Sequence, residues 1–207
     1  MSFQDGPSNW DRYTQGLVLG AFYYGYIITP IPGGRMAERY GGKWLVGLGT
    51  LITALLGLLI PYVAHNWGAM GVAVLRLVQG LGEGVTYPAM EALMSHWLPI
   101  GIRTIGVSLV HAGGYLGVVV GMSMSGFLAD SGIMGGWPYI FYFFSLLTMA
   151  WFVLWALFVS NRPGGHSWAS QEEVDFIEND HGKQKPSHVS QNQTLQITAV
   201  FAVFQCL

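Results

Sequence analysis

Residues 34–64 read GRMAERYGGKWLVGLGTLITALLGLLIPYVA, a basic, glycine-bounded segment over 34–43 that runs directly into an uncharged apolar run over 44–64. A helix over that run rises about 31 Å, which matches the hydrocarbon core of a bilayer. Arg35, Arg39 and Lys43 stand at one end of it and act as a marker of side. Outward from this stretch, four more apolar segments come near spanning length, at 16–33, 68–90, 104–128 and 138–159. Composition agrees: of 207 residues 52% are hydrophobic and 10% charged, against about 25% charged in a soluble domain. Nine Lys and Arg against eleven Asp and Glu leave no basic surface for nucleic acid. The single Cys206 supports neither an internal disulfide nor a metal set. The expected class is all-α, a polytopic membrane helical bundle embedded in lipid, with 29 Gly for packing and abundant Trp, Tyr and Phe for the interfaces.

The basic residues set the orientation, because short loops rich in Lys and Arg stay cytoplasmic. Arg35, Arg39, Lys43, Arg103, Arg162, Lys183 and Lys185 fall on one side, whereas the connections at 65–67 and 130–137 carry no Lys or Arg. The expected organisation is a non-cytoplasmic segment at 1–15, a five-helix bundle at 16–160 and a cytoplasmic linker at 161–207. No cleavable signal peptide is expected at the polar N-terminus. In the linker, Ser170 and Glu173 form a capping box for a short surface helix over 170–180. The apolar tail over 195–207 is too short to span, and Asn192-Gln193-Thr194 is a glycosylation sequon on the cytoplasmic side. A chain that ends partway into an apolar run reads as a truncated or divergent piece of a larger transporter.

Chemistry concentrates in the third span. Arg76 and Glu83 each add about 2.5 to 3.5 kcal/mol of insertion cost there. Seven residues apart, they share a helical face with Gln79 and Tyr87. Their axial separation of about 10 Å argues against a close ion pair. Arg76 then suits a substrate carboxylate, and Glu83 a proton. The competing reading pairs both with neighbouring helices, as locks in the bundle. Tyr23 and Tyr26 are the aromatic residues expected to line a cavity. Glu91, near His96, reads as interfacial, and His111 as hydrogen-bonded between helices. Gly113, Gly117 and Gly121 form a packing stripe. Gly80, Gly82 and Gly84 follow no strand, so they are not a nucleotide loop; they give the helix freedom or make room beside Glu83. No nucleophile, base and orienting group occur at catalytic spacing. The chain is therefore read as having no catalytic residues, metal site or cofactor.

Gly34-Arg35-Met36-Ala37-Glu38-Arg39-Tyr40-Gly41-Gly42-Lys43 resembles the signature between the second and third helices of major facilitator superfamily transporters. QGLVLGAFYYGYIITPIPGG at 15–34 and RLVQGLGEGVTYPAM at 76–90 resemble the anion symporter family that includes sialin, vesicular glutamate transporters and sodium-phosphate-type members. The resemblance covers about 10–180. It implies a partial N-terminal half, helices two to six, with the first helix outside this chain. It also implies alternating access and proton-coupled transport of a small organic anion, such as sialic acid or an acidic sugar, in a lysosomal, vesicular or plasma membrane. Sodium-coupled transport of phosphate or another anion is the alternative, and a truncated chain that transports nothing without the missing half is another. By motif, Arg76 is the anion-binding arginine and Glu83 the protonatable acid, whereas Glu38 and Arg39, with Gly34 and Lys43 of the same signature, form a conformational latch. Two departures stand out. Leu19 occupies the place of a His in vesicular glutamate transporters, and Thr29-Pro30-Ile31-Pro32 carries an additional proline that sharpens a kink.

Overall fold

The computed structural model describes residues 10–130 and 137–161. The expected surface helix at 170–180, the tail at 195–207, the sequon, Arg162, Lys183 and Lys185 lie outside the described residues. The elements are α1 Arg12–Ile28, α2 Pro30–Tyr40, α3 Gly42–Glu83, α4 Thr86–Trp97, α5 Arg103–Asp130 and α6 Trp137–Phe158, with a 3₁₀ turn Ile100–Ile102 before α5.

The helix breaks follow backbone chemistry. Asp11 caps α1 by accepting the Thr14 N–H at 2.9 Å. The first span, expected as one helix over 16–33, is two: α1 stops at Ile28, and α2 starts with Pro30 in its first turn. Pro30 and Pro32 have no N–H to continue the ladder, and their rings clash with carbonyls four residues back. The polar segment 34–40, expected as a connection, belongs to α2. It is amphipathic, with Gly33 and Ala37 buried and Arg35, Glu38 and Arg39 exposed. The turn is Gly41 alone, at φ 90° and ψ 149°, a region that favours glycine.

α3 has 42 residues, about 63 Å if straight, or twice the hydrocarbon thickness. It breaks at Gly68, at φ 64° and ψ −156°, and folds back into two antiparallel arms, 42–67 and 69–83. Gln79 Nε2 on the second arm donates to the Thr53 carbonyl on the first at 3.0 Å. A further interruption falls between Glu83 and Thr86, where Pro88 supplies no N–H for the Gly84 carbonyl. By length and composition, three stretches can cross a membrane: Gly42–Trp97, which folds back on itself at Gly68, Arg103–Asp130 and Trp137–Phe158.

Lipid tails are as apolar as a helix interface, so association rests on close packing. A Cβ added to Gly25 on α1 would stand 2.9 Å from the Leu81 backbone N, and one on Gly80 would stand 2.9 Å from that of Tyr26. Gly84 faces the Tyr26 carbonyl, and Gly49 faces that of Gly82. Gly80 and Gly84 therefore seat the second arm of α3 on α1, while Gly82 seats it on the first arm. The stripe expected on α5 behaves differently. Gly113 is buried and Gly117 half-buried, but a Cβ on Gly121 meets nothing within 4 Å. The surrounding α5 face, with Leu116, Val119 and Val120, is exposed.

Two apolar clusters close the ends of the bundle. One gathers Val46, Leu93, Met94, Trp97, Val110, Trp151 and Trp155. The other gathers Val18, Ala21, Ile60, Val63, Val72 and Ala73. Along α3 and α6, the polar residues lie between these clusters, at mid-height.

Candidate functional site

Arg76, Gln79 and Glu83 occupy one face of the second arm of α3 and open into a cavity of ≈ 270 Å³. That is the liquid volume of about nine waters. The first arm contributes Thr50, Thr53 and Gly57, and α6 contributes Phe141, Phe144, Ser145 and Thr148. Glycines on either side of Glu83 allow this wall to pack tightly on both flanks while its long side chains enter the void.

Donors and acceptors are distributed unevenly. Arg76 Nε, Gln79 Oε1 and Glu83 Oε2 are buried with no hydrogen-bond partner among the described residues. Gln79 is 3% exposed and spends an amide N–H on the Thr53 carbonyl, while its carbonyl oxygen is buried without a donor. Thr50 donates to the Val46 and Gly47 carbonyls at 2.9 and 3.0 Å, Thr53 to Gly49 at 3.0 Å and Thr148 to Phe144 at 2.9 Å. With these hydrogens spent on their own helices, the Thr50 and Thr148 hydroxyl oxygens remain as acceptors, while the Thr53 hydroxyl also lies against the Glu83 carboxyl. Arg76 is the cation in this lining, and its guanidinium carbon lies 5.6 Å from the Phe141 ring centroid. Arg76 and Glu83 form no ion pair with each other or with another described residue; the ion pair found among described residues joins His111 and Glu91.

The other sequence-derived residues divide. Tyr26 stacks on Phe22 and lies within electrostatic reach of Glu83 and Tyr87, on the α1 side of the charged wall. Tyr23 is 65% exposed and Tyr87 50% exposed, and the cavity lining contains none of the three expected tyrosines, Tyr23, Tyr26 and Tyr87. Glu38 and Arg39 are exposed on α2, with Arg39 over the Tyr40 ring at 5.7 Å. The Cβ of a residue at Gly34 would make ordinary contact with Pro88. Lys43 is bound to the end of α6: its Nζ donates to the Ala156 carbonyl at 2.8 Å, its N–H to Asn161 Oδ1 at 2.9 Å, and its carbonyl accepts the Trp155 indole N–H at 2.9 Å. His111 Nδ1 lies 2.8 Å from the Val107 carbonyl, and its Nε2 lies 3.5 Å from Glu91 across the α4–α5 gap. Sequence reasoning missed the facing walls. Their trace is a hydroxyl and aromatic periodicity, Thr50, Thr53, Gly57 on α3 and Phe141, Ser145, Thr148 on α6, at helical spacing.

A multi-pass helical bundle with polar residues and two opposite charges at mid-height defines an integral membrane protein. The family model described as Major Facilitator Superfamily matches residues 6–207, and the chain belongs to that family. It is 45% identical to sialin from Ovis aries over 168 residues, 81% of this chain and 33% of that protein. It is 37% identical to a putative inorganic phosphate cotransporter from Drosophila melanogaster over 174 residues, 84% of this chain and 33% of that protein. It is 35% identical to vesicular glutamate transporter 3 from Danio rerio over 181 residues, 87% of this chain and 30% of that protein. The chain thus spans about a third of the length of these curated relatives.

Proposed function

We propose that the protein supplies the anion- and proton-binding wall of a secondary transporter that carries organic carboxylates by alternating access. The observation that carries this reading is a guanidinium and a carboxyl group that share one cavity, do not pair, and each keep a buried atom without a partner. Unpartnered polar atoms among membrane helices cost free energy, and a carboxylate at Arg76 with a proton at Glu83 would relieve both costs. Ionised Glu83 would repel a substrate anion at Arg76, about 10 Å away along the helix, by about 2 kcal/mol at an effective dielectric of 20. Protonation removes that repulsion, so proton and anion favour each other's binding reciprocally. The hydroxyl oxygens of Thr50 and Thr148 suit a ligand that brings hydroxyl hydrogens along with its carboxylate. Sialic acid and other acidic sugars have that chemistry. Tyr26 would order the α1 side of the site, while Glu38 and Arg39 would serve as the latch of one access state. No catalytic chemistry is part of this reading, and the remaining helices of a complete transporter are its implied partner.

Proteoliposome uptake by a transporter carrying this segment tests it. Glu83→Gln is expected to abolish accumulation driven by a proton gradient and to spare anion exchange. Arg76→Ala is expected to weaken binding by about ten- to a hundredfold, the loss of a charge-assisted hydrogen-bonded pair. A Glu83→Gln variant that still concentrates substrate defeats the proton role. Sodium-coupled phosphate transport is the second reading, favoured in its substrate by the relative described as a putative inorganic phosphate cotransporter; it requires uptake to collapse when choline replaces sodium.

A further inference from the structure

We infer that Phe141 is a positioning residue for anion binding: its ring holds the Arg76 guanidinium by one face, so that the in-plane N–H donors stay free for a substrate carboxylate. This rests on the role proposed for Arg76 and adds a residue from another helix to it. A guanidinium donates only in its plane, and its faces make no hydrogen bonds. A carboxylate partner would neutralise Arg76 but would consume that donor fork, and Glu83 makes no such pair. The Phe141 ring, with its centroid 5.6 Å from the guanidinium carbon, offers attraction to the cation without taking a donor. Nε stays buried and unpartnered in the same site. The ring is itself fixed, because Trp137, one turn earlier on α6, meets it nearly edge-on, at 6.0 Å and 84°, and it packs against the cluster of Ile60, Val63 and Val72. The aromatic platform is thus set by α6 and the cation by α3, so the site requires both helices in register.

The test uses the full chain in lipid nanodiscs with N-acetylneuraminic acid as probe and its neutral methyl ester as control. Replacing Phe141 by mono-, di- and trifluorophenylalanine keeps its shape and removes the negative ring face in steps. Affinity for the acid is expected to fall stepwise, reaching about three- to tenfold at the last step. Binding of the ester should not move, and Phe141→Trp should restore acid binding where Phe141→Leu does not. A flat fluorination series overturns the inference, whereas Arg76→Ala binding the acid as tightly as the native chain overturns the proposed function instead. A second measurement needs no ligand. In chain labelled at arginine, the ring current of Phe141 should shift the Arg76 side-chain resonances upfield, and Phe141→Leu should abolish that shift. Unchanged Arg76 resonances in Phe141→Leu would also overturn it.

Discussion

Replacing Gly25 or Gly80 with alanine probes the contact on which the charged wall is seated. At each position, a new methyl carbon would stand 2.9 Å from a backbone nitrogen of the opposing helix, and both obstructions are main chain that cannot rotate aside. Ordinary contact begins near 3.4 Å, so α1 and α3 must part by at least half an ångström at that nitrogen, and by more at the neighbouring carbonyl. Overpacking of this kind costs about 1 to 3 kcal/mol, and rigid obstacles place each variant at about 2 to 3. The two glycines face the same crossing. A gap opened for one methyl accommodates the other, so the double variant is expected to cost about 3 to 4 kcal/mol rather than the sum. Gly121→Ala is the control, because a methyl there meets nothing within 4 Å and a helix gains slightly from alanine. Unfolding in mixed micelles with increasing SDS, followed by far-ultraviolet circular dichroism, measures all four variants. If Gly25→Ala and Gly80→Ala unfold alongside Gly121→Ala, or if the double variant is fully additive, the crossing is not the close contact described.

Three further expectations concern the ends of the helices. Gly41→Ala meets both an unfavourable φ and the Asn161 side chain, whose Cγ would lie 2.6 Å from the new methyl; about 1 to 3 kcal/mol of destabilisation is expected, and less on an Asn161→Ala background, where the obstruction is gone, as the same SDS titration would read. Asn161→Ala alone should cost about 1 kcal/mol, because it leaves the Lys43 N–H without its acceptor. Hydrogen bonds from the Thr14 hydroxyl and then its N–H hold the Asp11 carboxyl below the usual carboxylate range. A depressed folded-state value makes the cap fully stabilising above about pH 4, the unfolded value, and lost as pH falls through the folded one. Amide exchange at Thr14 should therefore quicken in acid in the native chain and be insensitive to pH, after correction for intrinsic exchange, in Asp11→Asn.

Membrane class and the charged wall were legible in the sequence for one physical reason, the cost of charge in hydrocarbon. That cost confines Arg35, Arg39 and Lys43 to the ends of spans and makes Arg76 and Glu83 conspicuous within one. The rest is tertiary. Thr50, Thr53 and Thr148 return their hydrogens to their own helices, as such residues do in many apolar spans, so only the facing of α3 against α6 makes them cavity oxygens. Gly113 to Gly121 has the regular spacing of a packing stripe, yet the tight crossing uses Gly25, an isolated glycine whose counterpart Gly80 lies on a different span. Segment 34–40 reads as a connection by polarity alone, and its helical character appears only when Gly33 and Ala37 are taken as one buried face. Proline was an uneven guide: Pro30 and Pro88 mark breaks, while Pro61 stays inside α3 and the reversal falls at Gly68.

The seating of α3 on α1 through Gly25, Gly80 and Gly84 has a mechanical corollary. Backbones in such intimate contact cannot slide or roll without collision, so the guanidinium and the carboxyl group ride on a single stiff plank with α1. Neither charge can be presented to one compartment while the other stays behind. In the carrier proposed above, a change of access would therefore move both together.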